Sequence, residues 1–377
     1  MRTISGLFGI GAMLLSATCN ADAYNNGTPR NWKTECVGRY QVSVPGEVEV
    51  ALRSSKHFFD ENDWSRKQFR FVDDTVAEFS SGYDVYPKMD NRESVQFMNA
   101  IKKMFDKNIA ERYQESHSVI DKNFAHWLTF SGKVNNRDFA WVELNAYSLF
   151  LYRDERYFFF GNSFDKSDSP AKDTEKSVAE INANINTFYP RALYELHKQQ
   201  GVCIPYGFIA DDGTAPRSIA VTIRLIDHPD IEIGFRDQSY SKSTMHIDKD
   251  QYAPTFGHHG AVDIDYNEPK NAINDFFPNV IYADEKVKPS FMGLHSAHMG
   301  GQKGGAIFVD ITRADGSPDF GYVIAVKGSN TENIDNPSQL LYVIRTAARA
   351  KGTPVSKEEL KDMAEKIVAS VKRHPVQ

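Results

Sequence analysis

The chain has only three cysteines among its 377 residues, Cys19, Cys36 and Cys203, and none of them in a C-x-x-C spacing. That excludes thioredoxin-like redox chemistry and cysteine-rich zinc modules. H-E-x-x-H is missing, and so is G-x-S-x-G. Neither a zinc-protease helix nor the nucleophile elbow of the usual lipase or esterase therefore has a candidate. No charge sign dominates. The 44 Lys and Arg against 50 Asp and Glu leave a formal net charge of -6, without the basic stripe that nucleic acid requires. No apolar run is comfortable as a membrane span of about 20 residues. The nearest, residues 4–17, is interrupted by Gly6, Gly9 and Gly11.

What that stretch does fit is a targeting signal. Arg2 precedes the apolar residues and Ala21-Asp22-Ala23 is a small-residue exit, so the pattern predicts a cleaved secretory signal peptide over 1–23 and a mature chain from Tyr24. A lipid anchor at Cys19 is the second option, disfavoured because Thr18 is larger than the residue such sites want. Export to the periplasm leaves Cys36 and Cys203 in an oxidising compartment, which predicts a disulfide between them; the alternative is two buried free thiols. A mature chain of this length exceeds the usual size of one core. Two domains are expected, 24–200 and 201–377, each opened by a cysteine-bearing extended segment and closed by a helix.

Aromatic residues make up 12% of the chain, with 25 Phe and 17 Tyr, and favour sheet. Alternation at 40–44 and 48–52 around Pro45-Gly46 predicts a hairpin with a half-buried face. Val95, Met98, Ile101, Phe105 and Ile109 fall at helical spacing, and Val178, Ile181, Ile185 and Phe188 do the same behind Ser169-Pro170. The aromatic run 156–161 reads as a buried central strand, and 191–200 as a further helical piece. In the second half, 219–225 with 231–235 and 306–311 with 320–326 predict hairpins. Residues 337–350 read as helix. Ser356 and Glu359 form a capping box for a final helix striped by Leu360, Met363, Ile367 and Val371, with Lys372-Arg373 completing its C-terminal dipole. The class is α+β, antiparallel sheets with helices packed on them.

Chemistry is sparse. Residues 300–305, Gly-Gly-Gln-Lys-Gly-Gly, lack the Ser or Thr of a phosphate loop and read as a flexible loop. Asp211-Asp212 reads as a turn. His246, His258, His259, His295 and His298 gather in an irregular stretch, 239–288 and beyond, with Asp263 and Asp265 nearby. Three or four of them converging would hold zinc. A helical turn at 295–298 would put two imidazoles on one face, but Gly293, Gly300 and Gly301 oppose a helix there. Histidines bonded to backbone or water are the simpler reading, so no catalytic, cofactor or metal residue is assigned and no enzyme activity is expected. The competing possibilities are an exported metal-dependent hydrolase built on His246, His258, His295 and His298, and a periplasmic binding or structural module.

Cys36-Val37-Gly38-Arg39-Tyr40, an apolar strand and then Pro45 resemble the opening of the N-terminal domain of a bacterial immunity-protein family. Its members neutralise phospholipase (lipase) effectors delivered by type VI secretion systems. Cys203-Ile204-Pro205-Tyr206-Gly207-Phe208-Ile209 resembles the opening of the same family's C-terminal domain. The resemblance implies a two-domain, non-catalytic periplasmic protein that binds one effector molecule as a monomer. It would occlude the active site or lid of that effector and so protect the producing cell and its kin. The motifs carry over no contact residues. Among the chain's own residues the candidates are Phe291, His295 and His298, on a Gly-bounded segment expected to be an exposed loop.

Overall fold

The computed structural model describes residues 24–25, 28–29, 31–59, 68–77, 84–116, 125–128, 137–143, 145–163, 169–214, 217–239, 286–289, 294–328 and 336–374. The expected leader, 1–23, lies outside them, as do residues 240–285 of the irregular stretch.

The first half gives β1 (Lys33–Val37), β2 (Tyr40–Val44), β3 (Val48–Val50), helix α1 (Asn91–Ser116), β4 (Ala125–Leu128), β5 (Phe139–Glu143), β6 (Ala146–Arg153) and β7 (Arg156–Ser163). Helix α2 (Pro170–Thr187) leads into β8 (Phe188–Pro190), β9 (Gly201–Ile204) and β10 (Gly207–Ala210). Next come β11 (Ser218–Leu225), β12 (Ile231–Gln238), β13 (Lys286–Pro289), β14 (His295–Met299), β15 (Gln302–Thr312), β16 (Pro318–Val326) and β17 (Ser338–Arg345). Helix α3 (Lys357–Ser370) and β18 (Lys372–Arg373) follow. The strand pairings are antiparallel, and the α+β expectation holds.

The largest sheet runs β13-β15-β16-β17-β12-β11-β3, with β14 also paired to β15. One face meets α3, whose Leu360, Ala364 and Ile367 are buried in one core with Tyr322, Ile324, Leu341 and Val343. All eight residues of β17 are buried, which corrects the helix read over 337–350. Leu340 to Ile344 is a continuous apolar run with no period, the pattern of a strand covered on both faces. The hairpins β11–β12 and β15–β16 form as read. The hairpin at 40–52 does not. β2 is buried throughout and lies between β1 and β18, while β3 leaves to pair with β11 through Val50↔Ile223 and Val48↔Leu225. Pro45-Gly46 thus passes the chain from one sheet to another. Lys372-Arg373, read as the basic end of a helix, lie in β18 against Tyr40 and Gln41 instead.

A second sheet, β7-β6-β5-β4, lies between α1 and α2. Towards α1, Phe97, Ile101 and Phe105 bury against Phe139, Trp141, Phe150 and Tyr157, with Phe139 and Phe150 stacked at 4.7 Å between ring centroids. Towards α2, Ile181 joins Leu149, Leu151, Phe158 and Phe160. The aromatic strand β7 is buried but ends its sheet rather than centring it. Its outer edge is satisfied by Tyr86 N–H donating to Tyr157 O (3.0 Å) and Phe159 N–H donating to Asp84 O (3.0 Å).

The capping box of α3 is present: Ser356 Oγ accepts from Glu359 N–H, and Glu359 accepts from Ser356 N–H at 2.9 Å. These bonds hold the Glu359 carboxyl below its ordinary value of 4.5. Ser356→Ala should lower the unfolding free energy by about 1 kcal/mol at neutral pH. A carboxylate whose folded pKa is depressed contributes above its unfolded pKa and ceases to as pH falls through the folded one. Denaturant melts of the two proteins should therefore draw closer, without merging, on acidification below pH 4.5, since the Ser356 hydroxyl then loses its bond to the Glu359 carboxylate but keeps the one it accepts from Glu359 N–H.

Candidate functional site

The two cysteine motifs meet. Cys36 at the end of β1 and Cys203 in β9 form a disulfide with Cα atoms 5.7 Å apart, packed with Phe208. Beside it Gly38 and Cys203 exchange both main-chain hydrogen bonds, each 2.8 Å, so the bond is flanked by a backbone bridge between two small sheets. Gly38 has φ +59, and a Cβ there would stand 2.2 Å from Asp237 Oδ2. Gly38→Ala is expected to cost about 1–3 kcal/mol through backbone strain and displacement of Asp237, read by thermal unfolding.

Asp237 is buried because its charge is used. It accepts from Arg39 N–H (2.9 Å) and Arg217 Nε (2.5 Å). The Arg39 guanidinium forks onto Asp211 at 2.8 and 2.6 Å, so Asp211 is an ion-pair partner as well as a turn residue. Residues 191–200 form no helix. Arg191 instead turns inward, pairs with Glu35, and donates to Cys36 O (3.0 Å), Ile204 O (3.2 Å) and Gly207 O (3.1 Å). Glu35 also accepts from Tyr194 N–H at 2.6 Å. His197 stacks on Phe208 at 4.3 Å, and burial holds its imidazole below its ordinary pKa. Its carbonyl accepts from His374 Nε2, while Gln41 Nε2 donates to His374 Nδ1 at 2.9 Å. Together these bonds tie β1 and β2 to β9, β10 and residues 191–200. Isolated arginines and acids carry no pattern, so this network was not readable from sequence. The only signal was the pair of cysteines beside it.

The candidate contact residues separate. Phe291 lies outside the described residues, as do His246, His258 and His259. His295 and His298 lie not in a loop but in the strand β14, joined to β15 by a two-residue turn. Gly300 and Gly301, with φ +58 and +82, make that turn, so 300–305 is turn and strand rather than flexible loop. Strand side chains alternate between faces, so residues three apart point to opposite sides and His295 and His298 do not converge. Ala297 and Met299 face the α3 core; Ser296 and His298 are exposed. Among the described residues no group of three or more His, Cys, Asp or Glu is arranged to hold a metal, and no helix is long and apolar enough to cross a membrane.

No protein-family model and no curated protein matches the chain. Solved structures do. Immunity protein TplEi of the type VI secretion system from Pseudomonas aeruginosa, complexed with "L" peptide, superposes at a TM-score of 0.50 and 13% identity, over 92% of this chain and 99% of that one. The chain has that fold. The apo form of TplEi matches at TM-score 0.50 and 14% identity, over 92% of this chain and 98% of that one. A chain of the Tle4–Tli4 complex matches at TM-score 0.50 and 15% identity, over 92% and 99%. At such coverage the shared fold spans nearly the whole chain.

Proposed function

We propose that this protein is a periplasmic immunity protein that binds a lipase or phospholipase effector of a type VI secretion system and inhibits it by covering its active site. The observation that carries the reading is the match of fold, over 92% of the chain, to TplEi, an immunity protein of that system. The two cysteine motifs supply the lipase class through the family they resemble. A disulfide suits an exported protein, since such bonds persist in oxidising compartments. Inhibition of this kind takes no chemistry from the inhibitor. It needs a preorganised body, and the buried network around Cys36–Cys203 holds β1 and β9 in fixed relation. One protein molecule binds one effector. Units 24–200 and 201–377 each supply part of the contact, and the formal charge of -6 speeds encounter with a basic partner at low salt.

The test is to purify the protein with the product of a lipase-like gene adjacent to its own and follow phospholipid hydrolysis. Hydrolysis should fall to baseline at a one-to-one ratio, with a complex on gel filtration. Undiminished hydrolysis at molar excess, with no complex, would refute the reading.

A further inference from the structure

The long strand β15 has β16 on one side and two short strands on the other. β13 pairs with its second part through Val287↔Ile311, and β14 pairs with its first part through Ala297↔Gly304. These two segments form one rim of the largest sheet, β3 being the other, and their sequences differ in kind. β13 reads Lys-Val-Lys-Pro, with the lysines and proline that natural edges use to repel further strands. β14 reads His-Ser-Ala-His-Met and has neither. Among the described residues no element pairs with the outer side of β14.

The register says which groups that side offers. A two-residue turn makes Met299 and Gln302 the hydrogen-bonded closing pair, and bonded pairs alternate along an antiparallel ladder. Ala297 therefore bonds inward to β15, while Ser296 and His298 direct their N–H and C=O groups outward. Side-chain chemistry then selects what fits. On one face the exposed His298 lies opposite the exposed Lys303, and residues 295–303 contain no carboxylate. On the other face are the half-buried Ala297 and the buried Met299, with the exposed His295 at its far end.

We infer that β14 is a docking edge on which an extended segment of the effector adds as a further strand, alternating apolar residues on the Met299 face with Asp or Glu beside His298 and Lys303. This rests on the reading of the protein as an effector inhibitor and names where the contact is made. Main-chain bonds supply the affinity, and the alternating side chains supply the choice of partner.

Recognition by backbone has a signature that recognition by side chain lacks. Ser296→Pro and His298→Pro each remove one outward N–H at positions where an edge strand tolerates proline. Each should weaken effector binding about tenfold or more, whereas Ser296→Ala and His298→Ala should stay within about twofold. Lys303→Glu should also weaken it. Calorimetric titration of the full-length protein with the lipase-like product of the adjacent gene reads these changes, with a thermal melt checking that each variant folds. Hydrogen exchange on the unaltered protein gives a second measure, in which the Ser296 and His298 amides should slow on complex formation.

A wild-type protein that does not bind the effector sinks both this proposal and the functional reading. Wild-type binding with unchanged affinity in the proline variants, or with unchanged exchange at Ser296 and His298, sinks the edge alone. Loss of a dimer, rather than of the effector complex, in the proline variants would make a second copy of this chain the occupant and overturn the proposal.

Discussion

Replacing Cys36 and Cys203 together by alanine is expected to lower the unfolding free energy by up to about 5 kcal/mol, the chain-entropy value for so long a closed loop. The bond spans 167 residues, so its loss releases more denatured-chain freedom than removal of any local contact. The folded state loses less. Gly38 and Cys203 keep their paired main-chain bonds, and Phe208 remains packed at the site. The double variant should therefore fold to the same structure with a lower denaturant midpoint, and reduced wild-type protein should unfold at the same midpoint as the variant. Inhibition of the effector should survive in dilute buffer and fail at lower temperature or denaturant than in the oxidised protein. A midpoint unmoved by reduction would show that the hydrogen bonds and ion pairs around the disulfide hold β1 to β9 without it.

How much of this was legible beforehand follows from where each signal lies along the chain. Helices α1, α2 and α3 were readable because their apolar positions recur at helical spacing and two have recognisable starts, Ser169-Pro170 and Ser356 with Glu359. The β11–β12 and β15–β16 hairpins were readable because turn residues separate alternating runs. β17 was not, since a strand buried on both faces loses its alternation and resembles a buried helix. β3 could not be placed either. Its partner, β11, lies more than 150 residues away, and nothing in Val48–Val50 names that partner. His295 and His298 were placed in an exposed loop because the glycines around them oppose a helix, whereas Gly300 and Gly301 close a hairpin that puts both in a strand. The cysteines were informative because the expected loss of 1–23 leaves only two, and export would favour their pairing. Ion pairs such as Arg39–Asp211 have many possible partners in any sequence.

The second large effect is expected at Glu35. Its carboxylate is almost wholly buried, as is the Arg191 guanidinium that pairs with it. Removing one member of a buried pair leaves the other charged in a medium that solvates it poorly, at a cost of about 3–5 kcal/mol. Arg191→Met should lie at the upper end, because Cys36 O, Ile204 O and Gly207 O lose a donor at the same time. Glu35→Gln should cost less, since the amide oxygen still accepts from Tyr194 N–H or Cys36 N–H. The double variant Glu35→Gln, Arg191→Met should be less damaged than the two single losses combined, with a coupling of about 0.5–3 kcal/mol. Lys33–Glu47 is the contrast, with about half of each side chain exposed to solvent, and Glu47→Gln should barely move the midpoint. High salt separates the two pairs further, because it screens the exposed one and leaves the buried one intact. Urea unfolding of the five proteins, wild type included, gives each term. Additive losses at Glu35 and Arg191 would mean that the two side chains stabilise β1 and β9 independently, and that Arg191 acts through the carbonyls alone.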